Sequence, residues 1–274
     1  MITVLGASGF IGSHVARRLA TLGLEHRAIG RTDTLPQGNL GDVVYCIGLT
    51  ADFRSRLLDT VEAHVCNLLG LVRNYEFESL LYLSSTRVYA DDDASDEEKV
   101  LHVQPRRPTD VFNISKAMGE SIVLNCGRRN ARVARVSNVY GPDFTSENFL
   151  SSIIRDAVTK RKVVFLTAPG SAKDYISIDD VVNGLIQIAT RGRESIYNLA
   201  SGVNVSHREL AEKLRALTSC EIEFAPGAPV ARFPPLTIER MRSEFGFAPS
   251  SVLDNLADLV RLFQENQSRP PARP

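Results

Sequence analysis

The chain has no tryptophan and only four cysteines, and its lysines plus arginines (32) equal its aspartates plus glutamates (32), so the formal charge is zero. Each shortage removes a class of function. A nucleic-acid binder usually carries a basic surplus to neutralise phosphates, and none exists here overall. Cys46, Cys66, Cys126 and Cys220 are far apart with no Cys-x-x-Cys pair, and His14, His26, His64, His102 and His207 form no paired ligand spacing. Neither a metal site nor a disulfide framework is expected. Cys46, inside an apolar strand pattern, reads as a small buried hydrophobe. No apolar run approaches the roughly 18 residues of a membrane helix. Met1 leads straight into the strand-like Ile2-Thr3-Val4-Leu5, which leaves no room for a charged leader and apolar signal core. A cytoplasmic protein is expected, with no membrane or nucleic-acid partner.

What is present is an ordinary globular composition, 274 residues with 43% hydrophobic and 23% charged side chains, enough for one large domain or two unequal ones. The first half alternates short β-branched runs with longer helical patterns. Strands are expected at 2–5, 27–29, 43–47, 80–83 and 132–136, and helices at 13–22 and 115–126. Leu57, Leu58, Val61, Val65, Leu68, Leu69 and Val72 recur at helical spacing and predict one long amphipathic helix. This alternation predicts an α/β fold built on a Rossmann-like, doubly wound parallel sheet. After Gly141 the pattern is less regular: helices near 148–159, 179–190, 206–217, 238–245 and 252–263, strands at 163–166 and 196–199, and a proline-marked connection from Pro226 to Pro235. The division expected is a Rossmann domain at 1–141, to which later segments can return, a smaller α/β substrate lobe at 142–265, and a disordered tail at 266–274. Asp91–Glu98 holds six acids in eight residues; a solvated loop is expected, with a mobile lid as the alternative.

Gly6-Ala7-Ser8-Gly9-Phe10-Ile11-Gly12 follows the first strand and opens the first helix. Gly6 allows the tight turn, Gly9 lets a pyrophosphate approach the backbone, and Gly12 permits close helix–strand packing, so the phosphates would sit at the positive helix N-terminus. Gly6, Ser8, Gly9, Phe10, Ile11 and Gly12 are therefore candidate cofactor contacts. The second strand ends Ala28-Ile29-Gly30-Arg31, with no carboxylate before Asp33. A carboxylate would repel a 2′-phosphate and an arginine can grip one, so Arg31 favours NADP(H), with NAD(H) the alternative.

Leu83-Ser84-Ser85-Thr86-Arg87-Val88-Tyr89 closes the fourth strand, and Pro108-Thr109-Asp110-Val111-Phe112-Asn113-Ile114-Ser115-Lys116 stands downstream. Here the chain resembles an extended short-chain dehydrogenase/reductase, of the NAD(P)-dependent epimerase/dehydratase branch that mostly handles nucleotide sugars. The resemblance covers nearly the whole chain. It matches Gly6–Gly12 to the cofactor glycines, Asn67 and Gly70 to a helix motif, Ser85 to the catalytic Ser/Thr, and Lys116 to the lysine of Tyr-x-x-x-Lys. It further implies that Gly48 and Val136 line the cofactor, that Thr86 and Asn138 approach the substrate, and that Lys173, in Lys173-Asp174-Tyr175-Ile176, contacts a diphosphate. Arg232 is a weaker match to a late phosphate-binding arginine. Tyr89 and Tyr140 read as packing residues at the sheet edge. A homodimer through helices 51–75 and 111–126 is implied as well.

One residue departs from the pattern. Phe112 stands where the family has its catalytic tyrosine, whose hydroxyl exchanges a proton with the sugar oxygen. Losing a general acid–base costs about 10²–10⁴ in rate, so severe impairment is expected. Three readings account for it: an introduced Tyr-to-Phe change in an active enzyme, favoured because Ser85, Lys116 and the glycines all remain; a natural variant using another acid, such as Ser85 or water; or a non-catalytic NADP(H)-binding sensor. Dehydratases of the family follow the catalytic threonine with Asp-Glu, and Thr86-Arg87 cannot serve as that pair. The resemblance therefore implies NADPH-dependent reduction of a keto group, at C4, on a nucleotide-linked deoxysugar, with an epimerase as the alternative.

Overall fold

The computed structural model describes residues 1–268 apart from 51, 91 and 129. Strand β1 (Ile2–Leu5) is buried throughout, as a continuous apolar strand covered on both faces should be. Helix α1 (Phe10–Thr21), β2 (His26–Ile29) and β3 (Asp42–Tyr45) follow. The long helix expected at 57–72 is a stack of three pieces: α2 (Leu57–Val61), a π-helical turn (Glu62–Cys66) and α3 (Asn67–Asn74). The extra residue per turn rotates the face that periodicity alone would bury, a distortion common at functional sites. Strand β4 (Ser79–Ser85), a 3₁₀ turn (Thr86–Tyr89), α4 (Asp110–Leu124) and β5 (Ala131–Val136) complete the first half. Helix α4 begins five residues before the expected Ser115, so Phe112 lies inside it.

The second half adds β6 (Asn138–Tyr140), α5 (Phe149–Thr159), β7 (Lys162–Phe165), β8 (Ala172–Ser177), α6 (Ile178–Arg191), β9 (Ile196–Leu199), β10 (Asn204–Ser206), α7 (His207–Thr218), β11 (Glu221–Phe224), α8 (Glu239–Phe245) and α9 (Val252–Ser268). Six parallel strands form the main sheet in the order β2-β1-β3-β4-β5-β9. Its faces are filled by alternate side chains. Val44 and Leu81 join a core with Val15, Leu19, Val181 and Leu185 from α1 and α6. Val43, Leu80 and Tyr82 join one with Leu68, Leu71 and Val123 from α3 and α4. This is the Rossmann-like doubly wound sheet.

Residues beyond 141 give α6 and β9 back to that sheet. The remainder builds a mixed three-stranded sheet, β10-β8-β6, and a parallel β11-β7 pair around a third core that includes Ile154, Phe165, Leu210 and Leu256. The short strands β6, β8, β10 and β11 were not expected, because sequences such as Lys173-Asp174 interrupt any alternation. Helix α9 runs through Ser268 into the segment expected to be a disordered tail; residues 269–274 lie outside the described residues.

The acidic run is not a freely solvated loop. Ser95 is 3% and Glu97 6% exposed. Ser95 Oγ donates to the Pro235 carbonyl, Thr237 N donates back to it, and Asn198 N donates to Glu97 Oε1. These bonds tie the run to β9 and to the proline segment, which also disfavours a lid; Asp91 lies outside the described residues. Among the described residues no helix is long and apolar enough to cross a membrane.

Candidate functional site

The glycine loop is built as a cradle. Gly6 has φ +82°, and a Cβ there would meet the Cys46 carbonyl group and Ile47 N at 3.0 Å. A Cβ on Gly12 would land on the Gly6 carbonyl oxygen. Gly9 caps α1 without any side-chain hydrogen bond to the helix amides, which leaves that N-terminus open to an anion. Ser8 is exposed beside it, and the half-buried Phe10 and Ile11 turn into the first core. These features fit a dinucleotide pyrophosphate. Arg31 is exposed just beyond β2. Asp33, four residues past the end of β2, folds back: Gly30 N donates to its Oδ2 at 2.8 Å, and a Cβ on Gly30 would lie 3.3 Å from that oxygen and 3.7 Å from Ser8 Oγ. Asp33, the first carboxylate after the strand, thus reaches the strand end through a turn, which its place in the sequence does not indicate.

The carboxyl end of β4 carries Ser85, whose Oγ accepts from Arg87 N at 3.2 Å and keeps its own proton to donate. Helix α4 brings Phe112 and Lys116 to the same end. Lys116 is buried, and its Nζ donates to the Leu83 carbonyl at 2.7 Å. Burial, opposed by the Glu120 carboxylate and by Cys46, pushes its pKa down to about 7. Gly48 faces this lysine: a Cβ there would lie 3.4 Å from Lys116 Nζ and 3.3 Å from His64 Nε2. Val136 pairs with Ser85 across the sheet and is buried, and Thr86 is buried beside Ser85.

Phe112 is 2% exposed and sits in an aromatic cluster, 4.9 Å from the Phe53 ring centroid and 5.2 Å from that of His64. His64 was not singled out by sequence. Its Nδ1 lies 2.9 Å from Ser115 Oγ, which donates to the Phe112 carbonyl, so the imidazole carries its proton on Nδ1 and accepts from Leu49 N on Nε2. Burial first, then Lys116, pushes its pKa down to about 2. The residues chosen by motif, Asn67 and Gly70, are respectively exposed and half-buried. The π-helical turn immediately before them is what carries His64 to the site, and its signal in sequence is only a helical repeat that does not keep step.

On β8, Lys173 Nζ lies 5.3 Å from the Phe149 ring centroid and 5.5 Å from that of Phe233. Burial lowers its pKa, and Arg87 and Arg54 lower it further. Those two guanidinium groups both sit over the Phe53 ring, Arg54 at 4.9 Å and Arg87 at 5.2 Å from its centroid. Asn138 is exposed and donates from Nδ2 to the Asp174 carbonyl, next to Lys173. Arg232 is exposed, and it is the adjacent Phe233 whose ring approaches Lys173. Tyr89 and Tyr140 are buried in packing roles: Tyr89 OH donates to Asn198 Oδ1 and accepts from Arg135, and Tyr140 OH accepts from Asn255. Among the described residues no group of three or more His, Cys, Asp or Glu is placed to hold a metal.

The model of the NAD dependent epimerase/dehydratase family matches residues 39–200, more than half of the chain. A dTDP-4-dehydro-6-deoxy-D-allose reductase from Streptomyces bikiniensis is 24% identical, over 97% of this chain and 96% of that protein. Among solved structures, MoeE5 in complex with UDP-glucose and NAD has a TM-score of 0.80 at 20% identity, over 97% of this chain and 99% of the other. RMD from Pseudomonas aeruginosa in complex with NADPH has a TM-score of 0.78 at 22% identity, over 96% and 99%. These two likenesses show a shared fold.

Proposed function

The chain belongs to the NAD dependent epimerase/dehydratase family, within the extended short-chain dehydrogenases/reductases, and from that premise we propose that it carries out NADP(H)-dependent reduction of a keto group, at C4, on a nucleoside-diphosphate deoxysugar. The observation that carries this reading is the placement of Ser85, Phe112 and Lys116 together at the carboxyl end of β4, beside the glycine cradle. Open α/β sheets place their ligands at that edge.

A bound nicotinamide cofactor would supply hydride. Gly6, Gly9, Gly12 and the first amides of α1 would hold its pyrophosphate, with Ser8, Phe10 and Ile11 around it. Lys116 would hydrogen-bond its ribose, between Gly48 and Val136. Ser85 would donate to the carbonyl oxygen of the substrate. Thr86 would stand beside that oxygen, and Asn138, Lys173 and Arg232 would face the diphosphate. Position 112 has no proton to give, so turnover by this chain should be severely reduced. Arg31 supports NADP(H). A second reading, NAD(H) with epimerase chemistry, is favoured by the Asp33 carboxylate on Gly30 N, which would repel a 2′-phosphate.

The test compares the chain with Phe112→Tyr, following NADPH absorbance against dTDP- and GDP-linked 4-keto-6-deoxyhexoses. The reduction reading expects tyrosine to raise the rate by two or more orders of magnitude. Tight NADPH binding by both proteins with no turnover by either would sink it, and would leave the epimerase or the cofactor sensor.

A further inference from the structure

The main sheet is one strand short on one side. A doubly wound dinucleotide fold ordinarily runs 3-2-1-4-5-6, two βαβαβ halves that each take one mononucleotide of the cofactor. Here the order is β2-β1-β3-β4-β5-β9, so β2 is the edge and the first half lacks its outer strand. The chain leaves β2 at Ile29 and enters β3 at Asp42 on the other side of β1. Residues 30–41, all described, contain no helix and only a single bridge, Asn39 to Glu76. Parallel crossovers usually carry a helix. This one is pinned flat instead: Thr3 Oγ1 donates to the Leu40 carbonyl at 2.6 Å, and Leu40 N donates to the Glu76 carbonyl at 2.9 Å. Leu40 is fully buried, and Leu35 packs against the same core. Two leucines thus cover the face of β1 and β2 that a second helix would cover.

From this topology we infer that the site binds its nicotinamide dinucleotide without reading the purine base, so that a cofactor lacking the adenine amino group is taken as well as the natural one. The inference rests on the proposed reading of the glycine loop as a dinucleotide cradle, and it says which part of that cofactor goes unrecognised. Reading a base takes donors and acceptors held against its edge, so that a wrong base leaves a buried group unpaired. The first half offers none. Arg31, Thr32, Thr34 and Gln37 are exposed, and among the described residues none of their side chains makes a hydrogen bond that would hold it in place. Ordering such side chains on binding costs entropy, and water can replace them. On the other flank, β3 is followed by Cys46-Ile47-Gly48-Leu49, whose apolar side chains offer packing and no edge recognition. The contacts assigned to the adenosine half, the α1 N-terminus with Arg31 or Asp33, go to the phosphates and to the ribose 2′ position.

The test is fluorescence titration of the intact chain with NADPH and NADH and with the hypoxanthine form of each. Within a pair the two cofactors differ only at purine positions 1 and 6. For whichever of NADPH and NADH binds, the expected result is a Kd for its hypoxanthine form within about threefold of its own, where a site that paired the amino group with a buried acceptor would lose at least about tenfold. Replacing Thr32, Thr34 and Gln37 together by alanine should change each Kd by less than about twofold, with the melting temperature unchanged. A loss beyond threefold for a hypoxanthine form overturns the inference and leaves the dinucleotide reading intact. A triple variant that weakens the adenine cofactors and spares the hypoxanthine ones also overturns it, because the connection would then be reading the base. If neither NADPH nor NADH binds, both readings fall.

Discussion

Lys116 Nζ donates a 2.7 Å hydrogen bond to the Leu83 carbonyl oxygen from a position closed to water. A carbonyl is a weak partner for a buried ammonium, and desolvation accordingly holds this lysine's pKa near 7 instead of its ordinary 10.5. Between those two values the unfolded chain binds a proton that the folded chain does not, so this residue's contribution to stability rises with pH across that window. Its penalty is fullest below pH 7. Lys116→Met should therefore raise the melting temperature most at pH 6, with the gain fading toward pH 10. The same variant should weaken NADPH binding at least tenfold. Thermal melts at four pH values and a cofactor titration check both; a gain that grows with pH would contradict the argument.

The Glu120–Arg135 pair is buried on both sides, with Arg135 donating from Nη2 at 2.7 Å and from Nε at 3.1 Å. Ser84 donates to the same carboxylate, and Arg135 also donates to Tyr89 OH and the Glu97 carbonyl. Removing one partner leaves an uncompensated charge, which costs about 3–5 kcal/mol. Glu120→Gln or Arg135→Met alone should each lower stability by about that amount in urea melts. The double variant Glu120→Leu with Arg135→Met should cost less than the sum of the two.

What the sequence made legible follows from local rules. The glycine loop needs its spacing at consecutive backbone positions, and the parallel sheet announces itself through buried runs such as Ile2–Leu5. Ser85, Phe112 and Lys116 were found because motif spacing fixes them along β4 and α4. His64, Phe53 and the Arg54–Arg87 pair were not. They reach the site through a π-helical turn, the segment before α2 and a 3₁₀ turn, where no long period links sequence distance to direction. Asp33 was missed for a similar reason: its carboxylate reaches Gly30 N through a turn, not along the strand. Ser95 and Glu97 are buried because β9 and Thr237, which lie more than 90 residues downstream, supply their partners.

The helices expected to pair two copies of the chain carry exposed apolar side chains: Leu58 on α2 is 85% exposed and Met118 on α4 51% exposed. We propose that these faces meet in a homodimer. Light scattering behind gel filtration should give twice the chain mass of 30.1 kDa. Met118→Glu, which sets a charge in an apolar contact, should shift the population to monomer at micromolar concentration. A monomer for the unsubstituted chain would end this reading and assign the exposed side chains to the ordinary apolar surface of a globular protein.

Cofactor choice pits Arg31 against Asp33, and the two make opposite demands. Arg31 offers a guanidinium to a 2′-phosphate from an exposed position past β2. Asp33 holds its Oδ2 2.8 Å from Gly30 N, close to Ser8, where an adenosine ribose would come. A phosphate there would face a full negative charge, whereas ribose hydroxyls would gain an acceptor. If Arg31 decides, Arg31→Ala should weaken NADPH at least tenfold and leave NADH nearly unchanged, and Asp33→Ala should strengthen NADPH modestly by removing repulsion. If Asp33 decides, Asp33→Ala should instead weaken NADH at least tenfold while Arg31→Ala changes little. Fluorescence titration of both reduced cofactors against the two variants separates these outcomes: Arg31→Ala lowers the ratio of NADPH to NADH affinity only under the first, and Asp33→Ala, which raises that ratio under both, does so by a gain of NADPH affinity under the first and by a loss of NADH affinity under the second.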